Sequence, residues 1–125
     1  MNVSDLGRYL LDSNQRGFGT GDRLRLIRQF ITDIESAANP QSLLDDRPPT
    51  SGDRRWDALV AGVVEDTAFR LGLRVPLWTT DPAYQLSEWW FVTSIPALRP
   101  TAFVETPAAI ANRGVFIRRA SLVNI

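Results

Sequence analysis

Three carboxylates, Asp57, Glu65 and Asp66, share one predicted helix, and acid–base chemistry in this chain would fall to groups of this kind because it has no His and no Cys. The same absence removes disulfides, thiolate or imidazole zinc sites, Cys nucleophiles and every Ser-His or Cys-His arrangement. Metal binding would need oxygen ligands alone. The adjacent pair Asp45-Asp46 is a poor start, since neighbours in sequence on a helix point away from each other. Asp66 and Arg70 stand four apart with the acid first, the spacing of a surface ion pair worth about 0.2–0.5 kcal/mol. Arg16 to Asp22, RGFGTGD, places glycines at 17, 19 and 21 ahead of a helix. A phosphate loop would add a Lys-Ser/Thr pair and a preceding apolar strand, and this spacing matches neither the nucleotide nor the dinucleotide fingerprint. The segment reads as a flexible linker. The expectation is a chain with no catalytic residue, no cofactor and no metal.

Charge carries the next constraint. Fourteen basic residues balance fourteen acidic ones, so no global field holds a nucleic-acid backbone. Every basic residue is Arg. That suits the composition of a G+C-rich genome, and it also suits interface pairing, where a planar guanidinium outperforms an ammonium. Arg23, Arg25 and Arg28 lie on one predicted helix and are the residues with which the chain would touch phosphates. With 125 residues, 44% hydrophobic and 22% charged, the chain has the size and composition of one globular domain. No apolar run approaches a membrane span, and the N-terminus lacks a basic-then-apolar signal, so a cytoplasmic protein without a membrane partner is expected.

The element best specified by the sequence is the helix over residues 53–73. Trp56, Leu59, Val60, Val63, Val64, Thr67 and Leu71 fall on one stripe at helical spacing. Asp53 is placed to cap its start and Gly72 to end it, with Leu73 folding back. On the opposite side Ala58, Ala61, Gly62 and Ala68 are small and Phe69 is large and apolar, which suits a second element packing closely there. Gly62→Leu should then disrupt folding by overpacking.

Before this helix, Leu6, Tyr9, Leu10 and Leu11 predict a short helix opened by Ser4 or Asp5. Residues 22–38 form a clean amphipathic pattern with Leu26, Ile27, Phe30, Ile31 and Ile34 on one half, and Asn39-Pro40 opens a further turn or two. RPPTSG, residues 47–52, is a break and reads as a connection within one domain. After the central helix, Val75 to Trp78 must be extended around Pro76. Thr80-Asp81-Pro82 predicts a helix through Tyr84, Leu86, Trp89 and Trp90. Thr101 to Glu105 fits a short helix or an extended turn, and Thr106-Pro107 opens a short helix ending at Asn112-Arg113-Gly114. Val115 to Ile117 is short and apolar enough for one strand, Arg118-Arg119 reads as an exposed basic pair, and the apolar end Ser121 to Ile125 should dock on the body of the domain. The fold expected is mostly α, a compact bundle of five to six short helices around residues 53–73, with a proline-rich irregular C-terminal half. Its parts are the helices of 1–46, the connection 47–52 and residues 53–125.

Three of the four tryptophans and Phe91 fall between residues 78 and 91. Two uses suit them: filling the core of a small domain, or anchoring a partner protein, where Trp and Arg are enriched.

WDALVAG (56–62), RLGLRVPLWT (70–79), WWFVTSIPALRPTAFVETPAAIANRGVFI (89–117) and SLV (121–123) carry a resemblance over residues 53–125. Trp-Phe, Pro-x-Leu-Arg and Pro-Ala-x-x-x-x-Arg-Gly-x-Phe-Ile are its motifs. They resemble the C-terminal region of actinobacterial helix-turn-helix proteins that lie beside a predicted nucleotidyltransferase in toxin–antitoxin-like pairs. The resemblance implies a non-enzymatic antitoxin-like protein that binds and neutralises a cognate nucleotidyltransferase-type toxin by protein–protein contact. The residues expected to touch that toxin are Trp89, Trp90, Phe91, Arg99 and Arg113, of which Arg99 and Arg113 match the family pattern. Those proteins carry an N-terminal helix-turn-helix module, and the helices before residue 53 do not reproduce one. The alternative function is a DNA-binding regulator of its own operon through Arg23, Arg25 and Arg28.

Overall fold

The computed structural model describes residues 1–123. Among them the protein is mostly helical, with six α-helices and one two-stranded sheet. Helix α1 (Val3–Gln15) starts earlier than Ser4 or Asp5 would set it, because Asn2 accepts from the Asp5 N–H and Asp5 accepts from the Asn2 N–H in a reciprocal capping box. Val3, Leu6 and Leu10 form its buried face, while Tyr9, expected on that face, is exposed. The linker expected over residues 16–22 is shorter than its glycines suggest: α2 (Thr20–Ser36) begins inside it, with Gly19 as its N-cap. Gly17, at φ +72°, makes the turn from α1 to α2. Leu24, Ile27, Phe30, Ile31 and Ile34 are the buried face of α2, and α3 (Pro40–Leu44) follows with proline at its start.

Helix α4 (Arg54–Arg70) is the centre of the bundle, with ten buried residues from Trp56 to Ala68. Asp53 caps it by accepting from the Arg55 N–H. Its other end is a Schellman turn: Gly72, at φ +67°, donates to the Phe69 carbonyl, and Leu73 donates to the Ala68 carbonyl at 2.8 Å. The small-residue face meets α6 (Ala108–Ala111), and Gly62 lies directly against Ile110. Phe69 breaks the expected pattern, being 81% exposed, and Leu71 of the apolar stripe also faces out, because the buried part of α4 ends at Ala68. The connection 47–52 is bound at both ends. Pro48 and Pro49 pack over Gly7 of α1, and Asp57 of α4 accepts from the Thr50 hydroxyl and the Ser51 N–H.

Burial alone would push the Asp53 carboxyl up, but hydrogen bonds from the Arg55 side chain and N–H hold it below the ordinary carboxylate value. The depressed pKa means that the cap stabilises the fold at neutral pH and loses that contribution as pH falls below the ordinary carboxylate range and through its lowered folded-state value. Asp53→Ala is expected to destabilise by about 1 kcal/mol at pH 7. Urea midpoints at pH 7 and pH 2.5 should show the difference between the two proteins shrinking at the lower pH.

The C-terminal half departs most from expectation. Pro76 is extended, as required, but Leu77–Thr80 close into a 3₁₀ turn held by the Trp78 indole N–H on the Leu44 carbonyl at 2.9 Å. The helix expected from Asp81 to Trp90 ends after the single turn Pro82–Tyr84. Beyond it the backbone is drawn elsewhere: Leu86, Trp90 and Val92 donate to the carbonyls of Arg113, Gly114 and Phe116. Strand β1 (Trp90–Phe91) therefore pairs in parallel with β2 (Val115–Phe116), Trp90 opposite Val115 and Phe91 opposite Phe116. Between them, α5 (Arg99–Glu105) resolves the ambiguous stretch as helix, and Thr106 fixes the turn to α6 by accepting from the Ile117 N–H. One hydrophobic cluster runs from Val3 to Ile117. Arg118 is half-buried and only Arg119 of the basic pair is exposed; Leu122 packs against the core and Val123 is exposed, while Asn124 and Ile125 lie outside the described residues.

A candidate partner-binding surface

Side chains of a strand alternate between its faces. In β1 and the extended residue before it, that alternation separates Trp89 from Trp90. Trp89 and Phe91 point to one side, Trp90 to the other. Trp90 packs on the core, edge-on to Trp56 with ring centroids 5.3 Å apart and the Arg55 guanidinium 5.2 Å over its ring. Trp90 is therefore part of the packing that seats β1 on α4.

Trp89 and Phe91 join Phe116 of β2 and Phe103 of α5 in a cluster of four rings. Phe116, only 4% exposed, is its hub, with centroids 5.0 Å from Trp89, 5.1 Å from Phe91 and 5.2 Å from Phe103. Trp89 and Phe103 meet directly at 5.8 Å. Such ring pairs contribute about 0.5–1.5 kcal/mol beyond the area they bury. Even so, Trp89 remains 68% exposed and Phe103 51% exposed. Val104 and Ile95, also exposed, lie next in sequence to Phe103 and beyond β1. The Arg99 guanidinium stands 5.4 Å over the Phe91 ring, a cation–π geometry. Phe103 is the member that the sequence reading missed. Its signal is Phe103-Val104 in a seven-residue helix of which only Ala102 is buried.

Arg113 stands apart from this surface. It is 8% exposed, and its guanidinium donates to the Glu65 carboxylate, to the Ala109 carbonyl at 2.7 Å and to the Thr79 carbonyl at 2.8 Å. These bonds tie α6 to α4 and to the turn after Pro76. Of the five residues expected to touch a partner, the structure brings Trp89, Phe91 and Arg99 together outside and gives Trp90 and Arg113 internal partners.

No family model, curated protein or solved structure matches the chain. The three α4 carboxylates each hold a structural partner: Asp57 the Ser51 N–H and the Thr50 hydroxyl, Glu65 the Arg113 guanidinium, Asp66 the Arg70 guanidinium at 3.1 Å. No group of three or more Asp or Glu among the described residues could hold a metal ion. Arg23 bonds Asn14 and lies over the Trp56 ring, and Arg28 donates to the Ser121 carbonyl, so of the three arginines on α2 only Arg25 is fully exposed. No helix among the described residues is long and apolar enough to cross a membrane.

Proposed function

We propose that this chain is a cytoplasmic partner-binding protein of the antitoxin type, which docks a nucleotidyltransferase-type toxin through Trp89, Phe91, Phe103 and Arg99. The observation that carries the binding part is the four-ring cluster with Trp89 standing 68% exposed. A large ring left in water while its neighbours pack forgoes burial worth about 1.5–3 kcal/mol. Exposed aromatics beside an arginine have the composition of interface hot spots. The identity of the partner rests on the resemblance carried by residues 53–125.

Co-expression with the product of the adjacent gene tests the reading. The two proteins are expected to co-purify, and this chain to relieve the growth arrest that the other imposes. Independent elution together with undiminished arrest would remove the reading. Trp90→Ala should act differently from Trp89→Ala: the first removes a core contact and lowers the melting temperature the more, the second gives up only the ring pairs with Phe103 and Phe116, stays folded, and weakens capture.

A further inference from the structure

The backbone beside the aromatic cluster has unused hydrogen-bonding capacity of one kind. In a parallel pair, alternate residues turn both their N–H and C=O to the neighbouring strand. Trp90 and Val92 face β2, since their N–H groups reach the carbonyls of Gly114 and Phe116. Phe91 between them therefore directs its N–H and C=O away from β2. β1 has one strand neighbour, and neither Phe91 group has a partner among the described residues. An unpaired donor and acceptor on an edge strand template the addition of another strand.

Two side chains define what that strand must carry. Arg99, over Phe91, has no carboxylate within ion-pair reach among the described residues, although eight other ion pairs are formed there. Trp89 and Phe103 offer apolar surface on the same side of the sheet. Resting on the proposed function, we infer that the partner is held by strand addition: an extended segment of it pairs with Phe91, sets apolar side chains on Trp89 and Phe103, and places a carboxylate on Arg99. The main-chain bonds give attachment, and alternate side chains give selectivity. A second copy of this chain fits the same edge less well, because two unpaired Arg99 guanidinium groups would meet at one interface.

The probe is a short synthetic peptide alternating Val and Thr around one Glu, titrated into the full chain by calorimetry. Two relatives of it separate the contributions, one N-methylated at alternate residues and one with Lys in place of Glu. The parent peptide is expected to bind, the N-methylated one roughly tenfold more weakly, and the Lys one severalfold more weakly. In Arg99→Glu the order of the Glu and Lys peptides should reverse, and the Phe91 amide should gain protection from hydrogen exchange in the complex. Absence of binding by the parent, or equal binding of parent and N-methylated peptides, overturns strand addition. If capture of the toxin in co-expression still depends on Trp89 in that case, the partner-binding surface stands and only its mode is wrong. A dimer formed without peptide, with the Phe91 amide protected, assigns the edge to a second copy and also overturns the proposal.

Discussion

Gly62→Leu is expected to destabilise the fold by about 3 kcal/mol or more, a large part of what a domain of this size possesses. A Cβ at this position would come within 2.9 Å of the Ile110 Cγ1, 3.0 Å of the Ile110 Cα and 3.4 Å of the Ala109 carbonyl oxygen. The first of these can relax by a rotamer change, the second is backbone of α6 and cannot, and the third is an ordinary contact that leaves no room beyond it. Leu would add three further carbons into the same space and force α6 off α4. Because α6 leads directly into the Gly114 turn and β2, the whole aromatic surface would lose its seat. Gly62→Ala is the graded control: it gains about 1 kcal/mol of helix propensity and meets the same backbone, so its net loss is small. Adding Ile110→Ala to Gly62→Leu should recover only part of the stability, since the α6 backbone still stands in the way. Urea unfolding followed by tryptophan fluorescence gives the numbers. A wild-type midpoint for Gly62→Leu would mean that α6 is not packed against α4.

Arg113→Ala has the next largest expected effect, a loss of about 2–4 kcal/mol. The substitution leaves the Thr79 and Ala109 carbonyls without their side-chain donor and strips Glu65 of its partner. Arg113→Lys should recover only a fraction, because a single ammonium cannot reproduce the fork that spans three acceptors. Thermal melting and capture of the proposed partner, measured together, separate this role from a contact role. A structural arginine lowers the melting temperature, while folded protein below that temperature still captures. An unchanged melting temperature with lost capture would place Arg113 in the interface.

These two positions mark where sequence is informative and where it is not. Gly62 is legible because a run of small residues opposite an apolar stripe is a local pattern, and the caps at Asp53 and Gly72 are equally local. Phe69 was misread from the same wheel, which gives a direction but not whether anything lies there. Arg113 finds Glu65 across 48 residues, a separation that no local pattern spans. Strand β1 was hidden for a related reason. Tyr84, Leu86, Trp89 and Trp90 suit a helix, and only pairing with residues 114–116 draws their backbone into an extended path. The site was legible in composition, as Trp89, Phe91 and Arg99, but not in arrangement. Separating Trp90 from Trp89 needs the strand period, and adding Phe103 needs α5, which the sequence left open between helix and turn.

The affinity of the purified partner for the double variant Trp89→Ala/Phe103→Ala, compared with Phe69→Ala, tests the central claim most directly. Phe69 is as exposed as any ring here and lies outside the four-ring cluster, so it controls for loss of exposed apolar surface in general. With both variants folded, the double variant should bind roughly thirtyfold more weakly or worse, and Phe69→Ala should bind like wild type. Undiminished binding by the double variant, or an equal loss in Phe69→Ala, would contradict the assignment of this surface.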